Sequence, residues 1–285
     1  MKHFYIIVNP ARDAQLKLTQ KIQNFITENG GICQYQANLE LEGIPFDRKK
    51  IPKDTECILV VGGDGTLLRA ARNIAERDIP LIGINTGHLG YLCELEADTA
   101  VAGAEHLLAD DSYTIERRMQ LSGCCITKAG KEPERTALND IVIHRCGRLQ
   151  VVDLIISVNG EYLNTYRADG IILATPTGST GYSMSCGGPI VDPKASLLLV
   201  TPISPHTLNA KSIVLDAEDE ITVEVAKRSS EQEEELEVSF DGDHVGILRA
   251  GEKITVKKAR ISTGILKLSQ QSFLERLRKK LQGYA

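Results

Sequence analysis

The stretch from Cys57 to Arg72 constrains the fold of this chain more than any other part of the sequence. It begins with an apolar run at 57–61, continues as GGDGT at 62–66, and ends in a segment rich in leucine, alanine and arginine. A continuous apolar run bounded by glycine indicates a strand buried on both faces, whereas the segment after the glycines favours a helix. The stretch therefore predicts a strand, a glycine-rich turn and a helix.

The turn at 62–66 opens the backbone to any ligand that approaches it. Glycine has no Cβ, so a phosphate can come close to the N–H groups, and the start of the next helix adds free donors and a partial positive charge. Asp64 in this turn can hold a metal or accept a proton from an attacking hydroxyl. Tight packing alone is the alternative reading. The sequence contains neither a P-loop nor the usual dinucleotide-binding glycine fingerprint.

The first 110 or so residues alternate between strand and helix patterns. The predicted strands are 3–8, 32–37, 57–61 and 81–84. The first helix between them has a single apolar face formed by Leu18, Ile22, Phe25 and Ile26. This alternation predicts a mostly parallel sheet covered by helices. Ligands bind such sheets beyond the carboxyl ends of the strands, which is where the turn at 62–66 and the glycine-containing loop at 85–90 are expected.

From about residue 113 the pattern changes to short strands and turns. Asn159-Gly160 stands between two runs of period two and is a strong hairpin signal. The predicted strands include 152–158, 212–215, 220–225, 235–240 and 253–256. The acidic run at 228–236 is expected at a solvated hairpin tip, and Asp241-Gly242-Asp243 is read as a β-turn rather than a metal site.

The last twenty residues return to a helical pattern. Their apolar face is predicted to consist of Phe273, Leu274, Leu277 and Leu281. Because a lone helix needs a partner surface, we expect this helix to pack on the N-terminal domain. The predicted fold class is α/β + β, with an α/β domain at 1–112 plus 268–285 and an all-β domain at 113–267.

The segment at 175–183, TPTGSTGYS, is unusually rich in hydroxyl groups for a strand domain. Serine and threonine can donate and accept hydrogen bonds, and Tyr182 offers a ring on which a base can stack. Packing does not call for so many hydroxyls, so the segment favours a ligand rich in hydroxyls, amides and phosphates. A polar loop on the surface is the alternative.

Composition limits the partners of the chain. The formal net charge of −5 argues against a broad surface for nucleic acid or anionic membrane. No apolar run approaches a membrane-spanning length, and the first one is too short for a signal-peptide core. Seven cysteines without a C-x-x-C pair are expected as free thiols of a reducing cytoplasm.

Together these motifs resemble the bacterial NAD kinase family. The matching pieces are GGDGTLL at 62–68, Leu138-Asn139-Asp140, the run from Asp169 through TPTGSTGY at 175–182, GGP at 187–189, and Pro205-His206-Thr207-Leu208. They follow the family's order and spacing and cover most of the chain. The GGDGT turn alone also resembles diacylglycerol and sphingosine kinases, whereas 175–182 combined with Asn139-Asp140 is specific.

The resemblance implies transfer of the γ-phosphoryl group of ATP, or of polyphosphate in some members, to the 2′-hydroxyl of the adenosine ribose of NAD. It also implies a divalent metal, Mg²⁺ or Mn²⁺, and a homo-oligomer, dimer or tetramer, with the site between an α/β and a β domain. No nucleic-acid or membrane partner is expected. Two rival readings remain: a lipid kinase that shares the GGDGT turn, and a non-catalytic NAD(P)-binding sensor.

The resemblance also implies roles for individual residues. Asp64 would activate or orient the ribose hydroxyl as the catalytic residue, Asp169 would contact the nicotinamide side, and no residue is assigned to the metal. The implied nucleotide-binding positions are Gly63, Gly65, Thr66, Tyr91, Asn139, Asp140, Arg167, Asp169, Thr177, Thr180, Gly181, Tyr182 and Ser185. The chain departs from the family at Asp140, where the family often has glutamate, and at Gly181, where many members have alanine.

Overall fold

The computed structural model describes residues 1–40, 43–87, 90–109, 113–147, 151–207, 210–227, 235–269 and 271–282. The helices are α1 (Lys17–Glu28), α2 (Asp64–Asn73), α3 (Ala100–Ala109), the single turn α4 (Tyr182–Ser185) and α5 (Phe273–Gln282), with 3₁₀ turns at Ala14–Leu16, Arg48–Lys50 and Thr177–Thr180. The strands are β1 (His3–Val8), β2 (Ile32–Ala37), β3 (Cys57–Gly62), β4 (Leu81–Asn85), β5 (Leu95–Glu96), β6 (Thr114–Thr127), β7 (Gly130–Lys131), β8 (Arg135–Ala137), β9 (Asp140–Arg145), β10 (Val152–Val158), β11 (Glu161–Ala168), β12 (Gly170–Ala174), β13 (Leu197–Ile203), β14 (Ile213–Asp216), β15 (Ile221–Val225), β16 (Glu235–Phe240), β17 (Asp243–Arg249) and β18 (Lys253–Lys267). The chain divides into two compact units, Met1–Arg118 with Ser262–Ala285, and Met119–Ile261.

The first unit is built on a parallel sheet, as the sequence predicts. Strands β2, β1, β3 and β4 lie side by side in that order and are all parallel. The centres of β1, β3 and β4 are fully buried, as at Ile6 and Leu59, and α1 adds Ile22 and Ile26 to the same core. Because the strands are parallel, β1, β3 and β4 all end at the edge of the sheet where the GGDGT turn begins.

The second unit is antiparallel throughout its paired strands. One sheet has the order β14-β13-β12-β9-β16-β17, and β10 pairs with both β11 and β15, with β15 pairing in turn with β18. The predicted hairpin is confirmed, with positive φ at both Asn159 and Gly160. Residues of both groups of strands share one core, including Ile143, Leu154 and Val223. The two sheets therefore face each other.

The C-terminal helix α5 is present, but its predicted apolar face is wrong. Leu274 is 70% exposed and Leu281 is 54% exposed, whereas Arg276 is only 4% exposed. The buried arginine forms hydrogen bonds to backbone carbonyls and to the carboxylate of Glu94 within the first unit. The surface that α5 covers offers acceptors, so a donor side chain is buried there in place of leucine.

Two sequence-based expectations fall partly outside the described residues. Residues 228–234 of the acidic run lie outside the described residues, and the last two residues of the run, 235 and 236, begin β16. In the loop at 85–90, residues 88 and 89 are likewise outside the described residues.

Among the helices of the described ranges, none combines the length and the hydropathy that crossing a membrane requires.

Candidate active site

Asp64 is the first residue of α2, and a ring of backbone donors holds its side chain. The Oδ2 atom accepts a hydrogen bond from the N–H of Tyr91 at 2.6 Å. The Oδ1 atom accepts from the N–H groups of Leu92 and Cys93, both at 3.2 Å. A carboxylate at the start of a helix also interacts favourably with the helix dipole. The carboxylate of Asp64 therefore has a fixed position rather than a free range of rotamers.

Gly90 is the residue that allows the backbone to come this close to Asp64. A Cβ built on Gly90 would lie 1.9 Å from Asp64 Oδ1 and 2.2 Å from its Cγ. No side chain fits in that space without displacing the carboxylate. The sequence showed Gly90 only as part of a glycine-containing loop, and the specific requirement for it became visible with the position of Asp64.

The hydrogen bonds to Asp64 leave a defined place for one more donor. An ionised carboxylate has about four lone-pair positions, and backbone donors occupy two on Oδ1 and one on Oδ2. The thiol of Cys93 also lies against this carboxylate, and burial together with the charge of Asp64 raises the pKa of that thiol. A protonated thiol is a weak donor. A ligand hydroxyl can therefore compete with the thiol for this carboxylate.

The glycines on either side of Asp64 face open space. A Cβ added to Gly63 or to Gly65 would meet no other atom within 4 Å. Thr66, in contrast, is 3% exposed, and its hydroxyl accepts a hydrogen bond from the Asn9 side chain at 3.5 Å. The protein's own packing thus explains the position of Thr66 but places no demand for glycine at 63 or 65.

Tyr91 contributes its backbone to Asp64 and its ring to α5. The ammonium group of Lys280 lies 5.4 Å from the centre of the Tyr91 ring, within the range of a cation–π contact. The carbonyl oxygen of Tyr91 accepts a hydrogen bond from Arg276 at 3.1 Å. Tyr91 is thus part of the support of Asp64.

In the second unit, three of the predicted site residues line one cavity of about 600 Å³. This volume lies in the usual range for sites that bind small ligands and cofactors. The predicted members are Asp140, Asp169 and Tyr182, and the other lining residues are Val142, His144, Arg145, Ile203, Glu237, Ser239 and Gly242. Tyr182 is 47% exposed and lines the cavity, so it is accessible to a ligand there.

Asn139 and Asp140 are held from behind by the carboxylate of Asp241. It accepts hydrogen bonds from the N–H groups of Leu138, Asn139 and Asp140, at 2.8, 2.7 and 3.2 Å. The two-residue turn between β16 and β17 has positive φ at Asp241 and Gly242, which confirms the predicted β-turn. The use of the Asp241 side chain as a support was not predicted.

Burial changes the acid–base behaviour of Asp140. Desolvation, with a further contribution from the negative charge of Asp241, raises the pKa of Asp140 to about 7. Below that pH the side chain is a neutral donor, and above it a negatively charged acceptor. Nearby, the Oδ1 atom of Asn139 is buried and has no hydrogen-bond partner among the described residues.

Several hydroxyls of the segment at 175–183 are used by the protein itself. The buried Thr175 donates to the carbonyl of Leu138 at 2.6 Å, and the buried Ser183 shares a hydrogen bond of 2.9 Å with Thr201. Ser179 bonds to both the N–H and the carbonyl of Val191. The expectation that packing does not call for these hydroxyls was therefore wrong for these three, because they form hydrogen bonds within the protein.

The remaining predicted residues of this segment are not among the described residues that line the cavity. Thr177 is buried, the hydroxyl of Thr180 donates to the Thr177 carbonyl at 3.3 Å, and Ser185 is exposed. A Cβ on Gly181 would lie 3.4 Å from Asn139 Nδ2 and 3.6 Å from Asp140 Oδ2. Gly181 thus lies beside the Asn139-Asp140 pair, and alanine there would need only a small shift.

Arg167 on β11 and Asp169 directly after that strand, the two charged residues predicted here, have different surroundings. Asp169 accepts a hydrogen bond from Arg145 Nε at 2.8 Å, and both side chains line the cavity. Arg167 instead has an exposed side chain, with its Nε atom 3.6 Å from Asp153. Arg167 does not contribute to the lining of this cavity within the described residues.

The described residues offer no cage for a metal ion. They contain no group of three or more histidine, cysteine, aspartate or glutamate side chains arranged to bind one. This pattern fits Mg²⁺ or Mn²⁺ carried mainly by phosphate oxygens, since Mg²⁺ keeps several waters and takes few protein ligands in phosphoryl-transfer sites.

Comparisons with known proteins identify the chain as a kinase, a phosphotransferase. The family model described as the ATP-NAD kinase N-terminal domain matches residues 4–113, and the model of the ATP-NAD kinase C-terminal domain matches residues 138–268. Together these ranges cover most of the sequence. The chain belongs to the ATP-NAD kinase family.

Relatives and solved structures agree with this assignment. A NAD kinase of Agathobacter rectalis is 50% identical over the whole of both chains, and one of Lachnospira eligens is 42% identical over 99% of this chain and 100% of its own. Among solved structures, a yeast NADH kinase complexed with NADH has a TM-score of 0.82 at 21% identity and covers 99% of this chain and 88% of its own. An Archaeoglobus fulgidus NAD kinase in complex with ATP has a TM-score of 0.76 at 24% identity and covers 98% of each chain. These two structures support the fold.

Proposed function

We propose that this protein transfers the γ-phosphoryl group of ATP to the 2′-hydroxyl of the adenosine ribose of NAD, forming NADP and ADP. The observation that carries the proposal is the carboxylate of Asp64, which three backbone donors hold at the start of α2. Membership in the ATP-NAD kinase family supports the choice of donor and acceptor.

In the proposed step, Asp64 acts on the acceptor. Its Oδ2 atom accepts a hydrogen bond from the ribose 2′-hydroxyl and takes the proton as the new O–P bond forms. The bond between the γ-phosphorus and the β–γ bridging oxygen breaks, and ADP leaves with that electron pair. Because phosphoryl transfer depends mainly on alignment and charge neutralisation, the fixed position of Asp64 matters as much as its basicity.

The turn around Asp64 is proposed to receive the phosphates. Gly63 and Gly65 present backbone without a side chain in the way, and the start of α2 provides N–H donors and a partial positive charge. Thr66 contributes by holding the turn against Asn9. The divalent metal, Mg²⁺ or Mn²⁺, is proposed to arrive with the phosphates and to neutralise their charge when bound.

The second unit is proposed to hold the dinucleotide. Asn139 Oδ1, which has no hydrogen-bond partner within the described part of the chain, and the carboxyl group of Asp140 are suited to the donors of adenosine. Tyr182 offers an accessible side chain, and Asp169 is assigned to the nicotinamide side. Supporting or binding roles are assigned to Arg167, Thr177, Thr180, Gly181 and Ser185. A cytoplasmic location and a homo-oligomeric state are part of the same proposal.

Replacement of Gly65 by alanine tests the proposed contact of the turn with the phosphates without disturbing the fold. The added methyl group meets no protein atom within 4 Å, and alanine in place of glycine inside a helix stabilises by about 0.5–1 kcal/mol. We therefore expect an unchanged or higher unfolding temperature together with a several-fold higher KM for ATP. Steady-state kinetics and thermal unfolding of the same sample measure both. Wild-type KM and kcat in this variant would show that the phosphates do not bind at this face of the turn.

Replacement of Asp140 by asparagine tests the titration of this group. The folded-state pKa of about 7 is above the ordinary value of 3.8, so the folded protein binds the proton more tightly than the unfolded chain. The wild type should then lose unfolding free energy relative to Asp140→Asn as the pH rises from about 4 to 7, and no further above it. Urea unfolding at several pH values measures the difference. Parallel curves for the two proteins would contradict the assigned pKa.

The three functional readings separate in one set of assays. Purified protein is incubated with Mg²⁺ and γ-labelled ATP, with NAD, NADH or a diacylglycerol dispersion as acceptor, and NAD binding is measured by calorimetry. We expect label in NADP and none in lipid. Labelled lipid without NADP would indicate the lipid kinase, and NAD binding without transfer from ATP or polyphosphate would indicate a sensor.

A further inference from the structure

The segment at 91–94 has two sides, and only one of them faces Asp64. The N–H groups of Tyr91, Leu92 and Cys93 point to the carboxylate. The carbonyl groups of Tyr91 and Cys93 are bound from the other side by a single side chain, Arg276 of α5, through its Nη1 atom at 3.1 and 2.5 Å. One arginine thus binds the carbonyl of the Tyr91–Leu92 peptide unit, whose N–H donates to Asp64 Oδ1, and the carbonyl of the Cys93–Glu94 unit that directly follows the third donor.

Arg276 is itself held in place by Glu94. Its Nη2 atom lies 3.0 Å from Glu94 Oε2, and the Glu94 side chain is completely buried. Glu94 also binds Lys267 at 2.9 Å and accepts hydrogen bonds from the backbone and hydroxyl of Ser269. Burial alone would raise the pKa of Glu94, but the charge of Lys267 and the hydrogen bonds of Ser269 keep it below its ordinary value. The carboxylate is therefore ionised and pairs with the guanidinium group.

Stability alone does not explain a buried arginine at this position. Replacing a buried ion pair by apolar residues of similar volume is often neutral or stabilising. The helix α5 also contains leucines that are not buried, since Leu274 and Leu281 are exposed. What an apolar side chain cannot supply is a planar set of donors that binds two carbonyls and a carboxylate at once. Lys280, stacked on the Tyr91 ring, adds a second contact from α5 to the same segment.

We propose that Arg276 is a positioning residue for phosphoryl transfer: by binding the carbonyls of Tyr91 and Cys93 it fixes the segment 91–93, and with it the N–H of Leu92, which shares a peptide unit with the Tyr91 carbonyl and donates to Asp64. The inference rests on the role assigned to Asp64 in the proposed function. It predicts that the loss of Arg276 acts on the chemical step through Asp64, and that substrate binding changes little.

The test is a double-mutant cycle between Arg276 and Asp64, carried out on the full chain. The variants are Arg276→Met, Arg276→Lys, Asp64→Asn and the two combinations. Arg278→Met serves as the matched control, because Arg278 is on the same helix and is exposed. Each protein is assayed below its own unfolding transition for kcat and for the KM of NAD and ATP.

We expect Arg276→Met to lower kcat by about tenfold or more, since small displacements of a reacting group can cost about a hundredfold, with both KM values within about threefold of wild type. Arg276→Lys, which retains the charge but not the planar fork, should recover only part of the loss. In the Asp64→Asn background, neither change at 276 should lower kcat by more than about twofold, because the group on which Arg276 acts is already lost. Arg278→Met should match the wild type.

Other outcomes overturn the inference. An unchanged kcat in both Arg276 variants would mean that Arg276 does not act through Asp64, and so would the same fold-loss in the wild-type background and in the Asp64→Asn background. If Arg276→Met does not fold, Arg276→Lys is judged by the same two criteria. Full turnover in Asp64→Asn alone would be a different failure, since it removes the proposed role of Asp64 and the inference with it.

Discussion

Asp64→Asn is expected to lower kcat by about 10²–10⁴-fold, the usual contribution of a positioned general base. Two physical effects combine. An amide cannot take the proton of the ribose hydroxyl, and the NH₂ group of asparagine would face at least one of the N–H groups of Tyr91, Leu92 and Cys93 that now donate to the carboxylate. The affinity for NAD should remain close to that of the wild type, because the residues proposed to bind the dinucleotide lie in the second unit.

The measurement is steady-state formation of NADP, followed with a NADP-specific dehydrogenase, together with calorimetric titration of NAD. Asp98→Asn is a suitable control, since Asp98 is an exposed aspartate of the same unit. A kcat within about threefold of the wild type for Asp64→Asn would show that the carboxylate supplies neither the base nor the alignment, since either role is worth far more than that.

Gly90→Ala is expected to lower kcat about as much as the loss of Asp64 itself. The new methyl carbon would lie 1.9 Å from Asp64 Oδ1, so either the carboxylate or the segment at 91–93 must move. A displacement of this order removes the alignment on which the transfer depends, and overpacking typically costs about 1–3 kcal/mol of unfolding free energy. Turnover should therefore fall far more than stability.

Gly246→Ala controls for the substitution. Gly246 lies in β17, and a Cβ there would have its nearest contact at 3.7 Å, from Glu132 Oε2. We expect near wild-type kcat for this variant and a loss of about a hundredfold or more for Gly90→Ala, on the scale of a misaligned reacting group. Equal activity of the two variants would show that the contact between Gly90 and the Asp64 carboxylate has no part in catalysis.

Local patterns in the sequence predicted most of the architecture. The strand, turn and helix around GGDGT appear as β3 and α2, and Asn159-Gly160 forms the predicted hairpin turn. These features depend on a few neighbouring residues: apolar runs for buried strands, and glycine where φ is positive. The long strand β18 was predicted only over its first four residues, because the polar run at 257–263 hides its continuation.

The supports of the candidate site were not predictable in the same way. Asp241 is separated from Leu138 by 103 residues, and Arg276 from Tyr91 by 185. A lone aspartate in a turn or an arginine in an amphipathic helix has the same local pattern whether it is solvated or holds a distant peptide group. Only the folded chain shows that both side chains are used to fix the backbone beside a predicted site residue.

The hydroxyl-rich segment shows the same limit from the other direction. Its composition favoured ligand binding, and Tyr182 does line the cavity of the second unit. Thr175, Ser179 and Ser183, however, form hydrogen bonds within the protein. Composition can indicate that a loop is polar, but burial decides which of its hydroxyls remain available to a ligand.

The most direct test of the account is the identity of the phosphorylated atom, measured for wild type and Asp64→Asn side by side. Each protein is incubated with NAD, ATP and Mg²⁺, and the product is analysed by ³¹P NMR and by its reduction to NADPH with a NADP-specific dehydrogenase and that enzyme's substrate. The account predicts a 2′-phosphate on the adenosine ribose with the wild type, and a yield from Asp64→Asn lower by about a hundredfold or more. A phosphate at another position, or equal yields from the two proteins, would contradict it.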